Sequence, residues 1–203
     1  MKCKQRYCAI CSNLAKKEQQ KKLSTIIQQY LQENKYLILL TLRIGDRENL
    51  ENSINIIKEA WRYFTRKDRR CANEFEHRYI GGIKTTEITL TKSKHWITQL
   101  NCILIADRYA YDELYLKTAW NRCINLAGGL DNEGNITYKQ IHLIDRTYDL
   151  SYTSTELNDH ILKMTTNISN FNYPLEQSKY LNNLHSVLKD MRLTDTFGCC
   201  RNI

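Results

Sequence analysis

The residues best placed for chemistry lie in GGIKTTEITLTKSKHWITQLNCILIA, where two alternating stretches aim polar groups at one surface. Thr85, Glu87 and Thr89 occupy alternate positions in the first stretch, and His95, Ile97, Gln99, Asn101 and Ile103 do so in the second. Side chains on a strand alternate between its two faces. Paired as a hairpin, the stretches therefore set one carboxylate, Glu87, beside two carboxamides, Gln99 and Asn101. Left unpartnered in a core, such groups cost about 1–3 kcal/mol each, so the pattern predicts a site. Carboxamide oxygens are hard, neutral donors that help hold Mg²⁺ or Ca²⁺, but they lack the basicity by which imidazole holds Mn²⁺. His95 shares the face, yet four residues at about 3.3 Å each set it roughly 13 Å from Gln99, too far to share an ion with it.

The elements that must position these groups read as an α+β fold: an antiparallel sheet with helices packed mainly on one face. YLILLTL, from Tyr36 to Leu42, is a continuous apolar run of the kind found in a strand covered on both sides. From Leu50 to Phe64 the residues Leu50, Ile54, Ile57, Trp61 and Phe64 keep one apolar stripe at helical spacing. That helix runs into RYFTRKDRR, whose Arg62, Arg66, Lys67, Arg69 and Arg70 either line a phosphate path or complement the helix's C-terminal dipole. After the hairpin, Ala110 to Ala127 reads as a helix burying Leu114, Leu116, Trp120 and Ile124, LAGGLDNEGN as a loop, and ITYKQIHLID as a third strand. His142, between apolar neighbours there, reads as a core histidine. Thr155 to Asn170 is expected to be helical, with Thr155 as its N-cap. Tyr173-Pro174 breaks it, and a last helix runs from about Leu175 to Lys189. Residues 1–34 form a Cys-containing segment with its own helical pattern, and 35–203 form the main domain.

Composition narrows the partners. Thirty basic against 22 acidic residues give a net charge of +8 and a pI near 9.0, which favours a polyanion. No apolar run reaches the roughly 18 residues of a membrane span, and MKCKQRYC has no apolar signal segment behind it, so a cytoplasmic protein is expected. The eight cysteines are then reduced thiols. Cys3, Cys8 and Cys11 have C-x4-C-x2-C spacing, half of a zinc knuckle, with Cys71 or His77 available as a fourth ligand. Free thiols are the other reading of that trio. Cys102 and Cys123 read as core, and the adjacent Cys199 and Cys200 as without function.

The order of these pieces resembles the Rep_1-type rolling-circle plasmid replication initiators, within the HUH endonucleases. The likeness runs over most of the chain: CKQRYCAICS, the strand ending LLTL, the hairpin, the helix with Trp120, ITYKQIHLID, ELNDHILKMT and LKDMRLTDTFG. It implies an HUH-nuclease-like domain whose sheet holds a His-hydrophobic-His pair and an acid around a divalent cation, Mg²⁺ or Mn²⁺. A helix-borne tyrosine, in a Tyr-x-x-Lys pattern, then attacks the scissile phosphate of single-stranded or hairpin origin DNA and stays joined to the 5′ end. By this resemblance Glu87 falls at the acid, Gln99-Leu100-Asn101 at the histidine pair, His160 at the tyrosine and Lys163 at the lysine. Tyr148 or Tyr152 replaces His160 as nucleophile if the match is shifted by a turn. The family's amino-terminal region often carries a Cys pair like Cys8 and Cys11, which implies a structural zinc, and its members work beside a helicase or replisome. With both imidazoles and the phenol replaced, two functions are expected of the chain: a nicking initiator, or a DNA-binding relative without nicking ability. In either, basic residues meet phosphates and Tyr109, Tyr111 and Trp96 stack on bases.

Overall fold

In the computed structural model the described residues are 17–18, 20–22, 24–25, 29, 36–65, 79–106, 113–130, 134–142, 168–169, 177–189, 191–198 and 200. The apolar run becomes strand β1 (Tyr36–Arg43), in which Leu37, Ile38 and Leu40 are fully buried and Leu39 nearly so, as a strand covered on both faces requires. Helix α1 (Leu50–Thr65) starts where the Asn49 side chain accepts the backbone N–H of Asn52 at 3.0 Å, an N-cap that satisfies one of the helix's unpaired donors. Strands β2 (Gly81–Leu90) and β3 (Trp96–Ala106) form the expected hairpin, then come helix α2 (Glu113–Leu126) and strand β4 (Asn135–His142). Among the described residues, β5 (Ile168–Ser169), helix α3 (Gln177–Leu188) and β6 (Thr194–Gly198) follow.

The sheet core runs β4–β1–β3–β2, and every neighbouring pair in it is antiparallel. Each helical connection, β1–α1–β2 and β3–α2–β4, crosses one strand that belongs to the other unit, which is the split βαβ arrangement. Along the outer edge of β2, β6 pairs antiparallel with Gly81–Thr85 and β5 parallel with Ile88–Thr89. Two short strands thus satisfy an edge that would otherwise present unpaired N–H and C=O groups. They also correct the sequence reading, which carried a helix through Ile168 and Ser169 and gave the TDTFG segment no strand. Gly198 closes β6 at φ +60°, and a Cβ there would lie 2.2 Å from the Ile80 carbonyl oxygen, so no other residue fits without a backbone shift.

Among the described residues, α1, α2 and α3 pack on one face of the sheet. Leu42, Leu40 and Ile38 of β1 stand across from Leu100, Cys102 and Leu104 of β3, and the stripe Ile57, Trp61 and Phe64 packs on them together with Leu116, Trp120 and Ile124 of α2. Phe64 and Trp120 meet edge to face at 5.6 Å, and the Trp120 Nε1–H donates to the Arg43 carbonyl at 3.0 Å. A second cluster joins Leu184 and Leu188 of α3 to Leu50, Ile88 and Trp96. One buried polar bond anchors α1 to the sheet: the Ser53 and Thr98 hydroxyls lie 2.7 Å apart, both residues fully buried.

That bond makes the first prediction. Ser53→Ala strands the Thr98 hydroxyl and lowers stability by about 1–2 kcal/mol, whereas Ser53→Ala combined with Thr98→Val recovers most of the loss because no orphan remains. Urea denaturation of the single and double variants measures this, and a double variant no more stable than the single one refutes it.

Candidate functional site

The hairpin register brings together what the sequence reading placed together. Glu87 stands across from Gln99, and Thr85 across from Asn101, on the sheet face opposite the helices. Gln99 Nε2 donates to Glu87 Oε2 at 2.7 Å, and Asn101 Nδ2 donates to the same oxygen at 2.9 Å. From β1, the Thr41 hydroxyl donates to Asn101 Oδ1 at 3.1 Å, so the fully buried Asn101 uses both ends of its amide. Glu87 and Gln99 are half-buried. Thr85 is fully buried, and its Oγ1 has no hydrogen-bond partner.

These contacts bear on whether the cluster holds a metal. Both carboxamides turn nitrogen, not oxygen, toward Glu87, and the oxygen of Asn101 is engaged by Thr41. Among the described residues no group of three His, Cys, Asp or Glu side chains gathers around a common point. So arranged, the set does not fit a cation: Mn²⁺ lacks its imidazoles, and Mg²⁺ would face N–H groups.

The other expected residues divide four ways. Arg62 is exposed in the last turn of α1, paired with Glu59 and 5.6 Å from the Tyr63 ring centroid, on the helix-bearing side of the sheet and away from Glu87. Trp96 is buried against Tyr180 at 6.0 Å, so it has no free ring to stack on a base, contrary to the sequence reading. His95 lies at the hairpin turn, its Nε2 3.7 Å from Glu48 and outside the Glu87 cluster. Cys3, Cys8, Cys11, Arg66, Lys67, Arg69, Arg70, Cys71, His77, Tyr109, Tyr111, Tyr148, Tyr152, His160 and Lys163 fall outside the described residues. Two contributors were missed, whereas Thr85 stands on the Glu87 face as its alternation requires. Thr41 completes the cluster, and Arg43, across from Gln99 in the register, brings a cation to its face while paired with Asp46 at 2.7 Å. The signal for Thr41 is a lone hydroxyl inside LILLTL.

Cys102 and Cys123 are buried thiols outside any disulfide, as expected of core positions. Burial pushes the Cys102 thiol from 9.0 up to about 12, with the Lys84 ammonium pulling weakly the other way. No protein-family model, curated protein or solved structure matches the chain.

Two predictions follow from these environments. Glu87→Ala leaves two amide N–H groups without their acceptor and lowers stability by about 2–3 kcal/mol, while Glu87→Gln, which keeps one acceptor oxygen, costs about half as much. Chemical denaturation decides, and a Glu87→Ala variant as stable as the parent removes the cluster's structural role. For Cys102, a folded value above the unfolded one means that its contribution is complete below about pH 9 and fades as pH rises toward about 12. The stability gap between the parent and Cys102→Ala should therefore narrow from pH 8.5 to 10.5, and a constant gap would show that the thiol ionises as readily folded as unfolded.

Proposed function

We propose that the chain is a DNA-binding protein on the scaffold of a rolling-circle replication initiator, holding single-stranded or hairpin origin DNA without nicking it. One observation carries the reading. At the positions where the resembling family keeps an acid and two imidazoles for a cation, Glu87 Oε2 is saturated by N–H donors from Gln99 and Asn101. A carboxylate engaged in this way is structural, and it neither recruits an ion nor activates a phosphate. The βαββαβ sheet, with acid and amide pair on one face, supports the scaffold, and the +8 net charge supports the polyanionic partner.

A second reading, a working nickase aided by a helicase partner, draws on one feature. The unpartnered Thr85 hydroxyl beside Asn101 is an oxygen awaiting a guest. That reading requires both carboxamides to reverse, and it needs a nucleophile, with His160 and Lys163 in the roles that the resemblance gives them.

A labelled origin hairpin incubated with the protein and Mg²⁺ or Mn²⁺ separates the two. The expected result is binding that weakens roughly tenfold or more between 50 and 200 mM salt, with no protein–DNA adduct surviving denaturation. An adduct overturns the non-nicking reading, and its loss in His160→Ala or in Tyr152→Phe identifies the nucleophile.

A further inference from the structure

Away from the Glu87 cluster, on the helix-bearing face at the β6 edge, a cavity of ≈480 Å³ opens between α1, β2 and β6. Its wall is aromatic. Phe197 meets Trp61 at 5.9 Å and Tyr79 at 5.7 Å between ring centroids, both edge to face, and Phe197 and Tyr79 are only partly buried. A charged pair stands against this wall: Lys84 Nζ lies 5.2 Å from the Trp61 ring centroid and 3.2 Å from Asp195 Oδ2. The stem of Lys84 is largely covered and its ammonium is held from two sides, so the pair presents a fixed donor beside a fixed acceptor.

We propose that this cavity takes a guanine base of single-stranded DNA, an inference that rests on the DNA-binding reading and names the base it selects. The volume lies within the roughly 300–1,000 Å³ of ligand pockets, and partly exposed aromatic rings are the usual platform for a base. The charged pair decides which base. Guanine alone carries a carbonyl, O6, next to two N–H donors, N1–H and the N2 amino group. O6 meets a Lys84 hydrogen that Asp195 does not use, and the two donors meet the carboxylate. Adenine and cytosine would set a ring-nitrogen acceptor near that carboxylate, and thymine offers one N–H between two carbonyls. The net charge of +8 favours a strand over a free nucleotide as the carrier of the base.

The test is a binding titration of the full chain with a short all-thymidine oligonucleotide and with the same strand carrying one central guanine. The guanine strand should bind roughly tenfold more tightly, the discrimination expected of a bidentate base contact. Asp195→Asn, which replaces an acceptor by an N–H₂ group at a partly exposed position, should abolish that preference, and Phe197→Leu should weaken both strands. Circular dichroism checks that each variant folds. Equal affinity for the two strands, an undiminished preference in Asp195→Asn, or equal gain from a central adenine or cytosine overturns the guanine assignment and leaves the DNA reading intact. Guanosine monophosphate binding as tightly as the strand overturns the strand as carrier. Failure to bind any oligonucleotide removes the DNA-binding reading and this inference together.

Discussion

Glu87 Oε2 accepts one N–H from Gln99 and another from Asn101, at 2.7 and 2.9 Å, and the rest of the candidate site is arranged to keep that oxygen supplied with donors. The constraint arises from burial. Asn101 sits on β3, flanked by β1 and β2, with no exposed surface, so each of its amide atoms needs a partner. The nitrogen finds Glu87 and the oxygen finds Thr41, and a polar link thereby spans β1, β3 and β2. Removing one member strands the others, because a half-satisfied buried network is worse than an apolar one.

The topology explains how distant residues reach this point. Glu87 and Gln99 are brought across by the hairpin, whereas Thr41 arrives from 60 residues upstream of Asn101 because the split βαβ order inserts β3 between β1 and β2. The helices settle on the opposite face, where Leu100, Cys102 and Leu104 complete an apolar core with α1 and α2. The sheet therefore has two chemically different sides. One side holds the carboxylate–amide network with Arg43 nearby, and the other holds the aromatic cavity with Lys84 and Asp195.

Much of this is legible in the amino-acid sequence. The stripe Leu50, Ile54, Ile57, Trp61 and Phe64 is buried as its spacing required, and period-two alternation placed Glu87, Gln99 and Asn101 on one face. The same alternation put Trp96 on the other face, where packing against Tyr180 removes it from any stacking role. Local patterns did not disclose β5 and β6. A strand as short as Ile168–Ser169 has no period to detect, and both strands exist because the free edge of β2 needs partners. Nor do residue types disclose which end of an amide faces a carboxylate. That choice, made by Thr41 on one side and Glu87 on the other, is what separates a hydrogen-bonded clamp from a cation site.

The central claim is that Gln99 and Asn101 serve Glu87 as N–H donors. Nuclear magnetic resonance of their side-chain amides during a Mg²⁺ titration examines it directly. The account predicts that one amide proton of each residue resonates downfield, exchanges slowly with solvent and does not move as Mg²⁺ rises to millimolar concentration. A saturable shift of both amides together with the Thr85 signals would contradict it, because it would mean that the amide oxygens had turned inward onto an ion.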